Sequence, residues 1–198
     1  MLTSYEKEVD DSKITKIECI QDVEIDINKI IKPEEYVEVP FSFILDYRTP
    51  ISIHKSKVWI RTNLDISKAV DAGDKDYINV LPIDVVEATL EAMSRLGFTI
   101  REVENIYDNK HWSNLGFVQE FEFIANTGQY RGKFDEIEMV FVPKRDCVDV
   151  YIEVDTKARG LLSAFTEAVG LDETNRKIRL EYNQTNSNEI ARTIQSLL

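Results

Sequence analysis

The chain has 198 residues, 43% hydrophobic and 10% aromatic, enough apolar material for a folded core and too much for a disordered chain. Its 24 Lys and Arg against 36 Asp and Glu leave a formal net charge of −12, which repels phosphate backbones and argues against nucleic acid as a partner. No apolar run approaches the roughly 20 residues needed to cross a bilayer as a helix, so no integral membrane segment is expected.

The first residues, MLTSYEKEVDDSK, are polar and charged and read as no signal peptide. Two widely spaced cysteines, Cys19 and Cys147, form no CxxC pair, and each falls in an apolar strand pattern. They read as buried free thiols of a cytosolic protein. Residues 14–28 then alternate with period two, Val23, Ile25 and Ile27 on one face against Asp22, Glu24 and Asp26, the signature of a half-solvated antiparallel strand. A turn at Lys32–Glu35 precedes a second strand, Tyr36–Leu45, interrupted at Pro40. Thr49 and Pro50 punctuate a crossover. The cleanest alternation covers Lys57–Ile66, and Asp71–Asp76 reads as an acidic turn around Gly73.

A short strand, Tyr77–Leu81, leads to a helix opened by Pro82 and Asp84, striped by Ile83, Val86, Leu90 and Met93, and stopped at Gly97. Strands are predicted at Phe98–Ile106, Phe117–Ala125, Glu136–Pro143 and Cys147–Asp155. A second helix is predicted at Gly160–Val169, a last strand at Lys177–Tyr182, and a terminal helix at Glu189–Leu198. The fold class is therefore mostly β: antiparallel sandwiches with two inserted helices and a C-terminal helix.

The chemistry-bearing residues form no recognised catalytic pattern. His54 and His111 are the only histidines and are too far apart for a zinc pair or a triad motif. The run DAGDKD lacks the ligand spacing of a calcium loop, and no glycine cluster matches a phosphate-binding loop. Neither a metal nor a cofactor is expected. A carboxylate pair of the glycosidase kind has no sequence mark. Trp59 and Trp112 could stack on sugars, which leaves a carbohydrate-binding or carbohydrate-active sandwich as the alternative function, although packing on strand faces explains them as well.

The motifs Pro40-Phe41-Ser42-Phe43, Thr49-Pro50-Ile51, Val58-Trp59-Ile60, Leu64-Asp65-Ile66 and Asp76-Tyr77-Ile78 carry a family likeness. So do Ile152-Glu153-Val154-Asp155, Arg159-Gly160-Leu161 and Gly170-Leu171-Asp172-Glu173. Together they resemble the sporulation-control proteins of the SpoOM family, which belong with the arrestin-like proteins. The resemblance implies a cytosolic, non-enzymatic regulator or scaffold that binds other proteins. It also implies two arrestin-like sandwiches, residues 1–48 forming part of the first and 49–182 the second, with 183–198 a linker and terminal helix. The first 48 residues supply about three strands where a sandwich needs about seven. The start of that domain is expected to be missing, and Ile14, Ile17, Val23, Ile25 and Ile27 to face water or a second copy in a homodimer. Lys157 and Arg159, cations in an acidic chain, are the candidate partner-binding residues.

Overall fold

The computed structural model describes residues 1–10, 12–27, 30–64, 72–156 and 173–198. The chain is mostly β. Its strands are β1 (Leu2–Val9), β2 (Ser12–Cys19), β3 (Val58–Leu64), β4 (Ala72–Ile78), β5 (Phe98–Tyr107), β6 (Phe117–Ala125), β7 (Phe134–Pro143), β8 (Cys147–Thr156) and β9 (Glu173–Glu181). Two described helices accompany them, α1 (Asp84–Arg95) and α2 (Ser187–Gln195). The helix predicted at Gly160–Val169 lies outside the described residues, as do Lys157 and Arg159.

The described strands join one hydrogen-bonded network in the order β4-β3-β1-β5-β6-β7-β8-β9, with β2 folded back on β1. Neighbours are antiparallel except β1 and β5, which run parallel and meet at Glu6 and Ile106. Alternation decides the two faces of β6–β8. Phe121, Phe123, Ile137, Met139, Phe141, Val148, Val150, Ile152 and Val154 point one way into the core. There they meet Val85, Val86, Ala92 and Met93 of α1 and Ile190 and Ile194 of α2. Each helix buries one apolar stripe. Gly97 ends α1 with φ +93°, and a Cβ there would lie 2.5 Å from the Thr127 carbonyl oxygen, so the turn requires glycine. Asn186 caps α2, its side-chain oxygen accepting from the amides of Asn188 and Glu189.

β1, which polar composition hides in the sequence, is tied in by a buried polar node. Asn105 Nδ2 donates to Thr3 Oγ1 and to the Ser4 carbonyl oxygen, both at 3.0 Å. Ser56 Oγ donates to Asn105 Oδ1 at 3.1 Å, and Thr3 Oγ1 to the Lys57 carbonyl oxygen at 2.8 Å. Tyr5 on the same face stacks on Phe117.

Four sequence expectations change. The alternation of residues 14–28 forms a strand only to Cys19; Gln21 still exchanges backbone hydrogen bonds with Met1, but no strand is assigned over 21–27, because alternation makes a segment amphipathic while a strand also needs a partner backbone. Tyr36–Leu45 is likewise irregular. The acidic turn is instead strand from Ala72 onward, running into Tyr77 and pairing with β3 along its length. Of the two thiols, Cys147 is buried, while Cys19 is exposed because β2 lies at the margin of the sheet.

Candidate interaction surface and the carboxylate face

β2 hydrogen-bonds only to β1, so its outer edge has no partner strand among the described residues. Ile14 and Ile17 of β2 are exposed, as are Val23 and Ile25 beyond it, in line with the sequence expectation; Ile27 is half-buried. The long connection from β2 to β3 adds Tyr36, Phe41, Ile44, Leu45 and Tyr47, all exposed, with Ile30 and Ile44 at 91% and 90%. An isolated exposed apolar residue is ordinary, whereas a cluster of them, like an open strand edge, is a feature that interaction sites use. The connection is nevertheless anchored. Gln21 Nε2 donates to the Ile44 carbonyl oxygen at 3.0 Å, and its Oε1 accepts from the Asp46 amide at 3.2 Å.

The sheet face opposite the helices is acidic. Register places Glu102, Glu122, Glu138 and Glu153 side by side across β5–β8, with Glu104 opposite Glu120 one step along. Like charges directly opposite repel, so cations must intervene. Lys55 pairs with Glu102 and Glu104. Arg101 reaches Glu122 and Glu136. Lys110 holds Glu153 at 2.6 Å. Glu120 and Glu138 have no ion pair among the described residues. Burial, then the neighbouring carboxylates, push Glu120 up to about 8 and Glu138 up to about 7. Oxygens of Glu120, Glu122 and Glu138 lie within 4.8 Å of one another, the one set of described side chains close enough to hold a metal ion. Glu122 is already ion-paired with Arg101, which competes with any ion for its oxygens. Nothing in the sequence betrays this rank, because each glutamate reads as an ordinary solvent-face residue until register aligns them.

The tryptophans pack rather than offer open faces. Trp59 is buried beneath Lys75 and tilted against Tyr77, and Trp112 stacks on Tyr151 with ring centroids 4.1 Å apart. Asp74 and Asp76 lie on β4 opposite Thr62 and Ile60 and form no loop. Lys177 and Arg179 are both bound to Asp149, at 2.9 and 2.8 Å.

A cleft of about 540 Å³ opens between residues 45–51 of the connection, the start of α1 and the ends of β6 and β7.

The SpoOM protein family model matches residues 1–158. The sporulation-control protein spo0M of Bacillus subtilis (strain 168) is 36% identical over 159 residues, covering 80% of this chain and 62% of that protein. The chain therefore spans less than two thirds of the relative's length. The crystal structure of Spo0M, a sporulation control protein from Bacillus subtilis, matches 99% of this chain and 80% of its own, with a TM-score of 0.84 at 29% identity.

Proposed function

The chain belongs to the SpoOM protein family, and on that premise we propose that it is a cytosolic regulator of the sporulation-control type that binds other proteins and catalyses nothing. The observations that support the mode of action are the open edge of β2 and the exposed apolar residues of the connection that follows it. Strand addition at such an edge supplies backbone hydrogen bonds, and adjacent apolar side chains supply selectivity. A second copy is one such partner, with residues 1–48 as its contact; Lys157 and Arg159 are a further grip for an acidic partner.

The test uses pull-downs from a native lysate, read by mass spectrometry, with the wild-type chain and an Ile30→Asp/Ile44→Asp variant. Both positions are almost fully exposed, so the fold should survive. A stoichiometric partner that the variant loses supports the reading, and light scattering reports whether that partner is a second copy. Loss of the same partner in a folded Arg159→Glu variant assigns the basic grip. Identical captures by wild type and the double variant would overturn the surface.

A further inference from the structure

The cleft near residues 45–51 has the build of a small-molecule site. Its volume of about 540 Å³ lies within the range of about 300–1,000 Å³ typical of such sites. Its inner wall includes Phe121, Phe141 and Val86, which belong to the buried core between sheet and helices. The connection that forms one side is fixed in place, because Gln119 hydrogen-bonds both backbone groups of Ile51.

The charges lining the cleft have a definite balance. They are Asp46, Arg48 and Lys144, with the imidazole of His111 also in the lining. Arg48 and Asp46 neutralise each other: Arg48 Nε donates to Asp46 Oδ1 at 2.8 Å, and a second guanidinium nitrogen binds Oδ2. Arg48 Nη1 also donates to Asn114 Oδ1 at 3.1 Å. Lys144 is left over. Its ammonium donates to the Trp112 carbonyl oxygen at 3.2 Å and has no carboxylate partner among the described residues. In a chain of net charge −12, an apolar recess with an uncompensated cation in its lining selects for a particular ligand chemistry.

We propose that this cleft binds a small amphipathic monoanion of the medium-chain fatty carboxylate class, its alkyl tail against Phe121 and Phe141 and its carboxylate on Lys144. Burying the tail supplies affinity in proportion to the apolar area covered, and the single charge-assisted contact orients the ligand. The neutralised Arg48 and Asp46 add a rigid polar rim without competing for the head group. The cleft shares Leu45 and Tyr47 with the surface proposed for protein partners, but its inner wall and Lys144 lie outside that surface, and ligand binding is tested independently of that reading.

The experiment titrates the full chain with 11-(dansylamino)undecanoate, followed by fluorescence, and displaces the probe with decanoate kept below its micelle concentration. Saturable 1:1 binding is expected, with decanoate at least tenfold tighter than hexanoate and than neutral decanol. Lys144→Ala should weaken decanoate about tenfold and leave decanol unchanged, a split that a merely unfolded variant cannot produce. Leu115→Trp, which narrows the cleft from its half-buried rim, should weaken both ligands, with circular dichroism confirming that the fold is kept. No saturable binding of the probe would overturn the proposal. So would decanoate binding that neither variant alters, which would place the ligand elsewhere.

Discussion

Gln119 holds Ile51 by both of its backbone groups. Gln119 Oε1 accepts the Ile51 amide at 2.9 Å, and its Nε2 donates to the Ile51 carbonyl oxygen at 2.8 Å. A single side chain thus does for the irregular connection what a neighbouring strand does elsewhere in the sheet, and it does so from a buried position. Truncation leaves the Ile51 amide without a partner, at a cost of about 1–3 kcal/mol if it stays dry, while the Ile51 carbonyl oxygen keeps the Ile53 amide at 3.1 Å. Gln119→Ala should therefore destabilise the fold by roughly 2 kcal/mol, with faster hydrogen exchange at Ile51. Unchanged exchange at that amide would show that the clamp does not hold the connection.

Glu120 makes a prediction with a sign. Its folded value of about 8 lies above the ordinary carboxylate value, so the fold favours its protonated form. That contribution is complete below the ordinary value and is lost as pH rises through about 8. Glu120→Gln copies the protonated shape. It should change stability little at pH 5 and raise it at pH 9 by on the order of 2 kcal/mol, measured by urea denaturation. An equal effect at both pH values would exclude charge as the cause.

Asp149 behaves the opposite way. Hydrogen bonds from Arg179 and Lys177 outweigh burial and hold its carboxyl below the usual range. Its contribution is present above the ordinary aspartate value and disappears as pH falls through the depressed one. Asp149→Asn should cost about 1–3 kcal/mol at pH 7, the range for losing charge-assisted hydrogen bonds, and progressively less in acid. Chemical denaturation at pH 7 and pH 3 tests the difference.

Gly97 combines left-handed backbone with a close approach. Gly97→Ala would bring a Cβ to 2.5 Å from the Thr127 carbonyl oxygen at φ +93°. A loss of at least about 1–2 kcal/mol is expected, visible as a lower thermal midpoint. Gly132→Ala is the control, since its φ of +74° is similar but nothing lies within 4 Å of the added carbon.

Much of the fold is legible in the sequence wherever an alternating segment also finds a partner. Phe117–Ala125 is strand at the predicted bounds, and Cys147–Thr156 extends its prediction by one residue. Leu2–Val9 is not legible, because only Thr3 and Tyr5 of that strand are buried and the charged run Glu6-Lys7-Glu8 breaks the apolar alternation. Gly73 misleads in the other direction. It suggests a turn, yet in β4 it faces Asn63, where a Cβ would meet Asn63 Oδ1 at 2.8 Å. The interaction surface is partly readable from Val23 and Ile25, whose alternation has no partner layer. The rank of Glu102, Glu122, Glu138 and Glu153 is invisible for a different reason: lateral register depends on how long each connection is and how it closes, not on any strand's own composition.

The placement of β1 between β3 and β5 has a consequence for how the molecule is made. Leu2–Val9 leaves the ribosome before every other described strand, and β2 can close on it at once as a local hairpin. Its remaining neighbours come much later. Val58 and Trp59 lie more than fifty residues on, and Asn105, which caps its buried polar side, lies 102 residues from Thr3. Such distant pairings slow folding and leave unfinished edges exposed in the meantime. During synthesis the nascent hairpin must stay soluble with Thr3 and Tyr5 uncovered, and its many charged residues suit that waiting period. Insertion of β1 is then a late step, one that joins β3 and β4 to the five strands β5–β9.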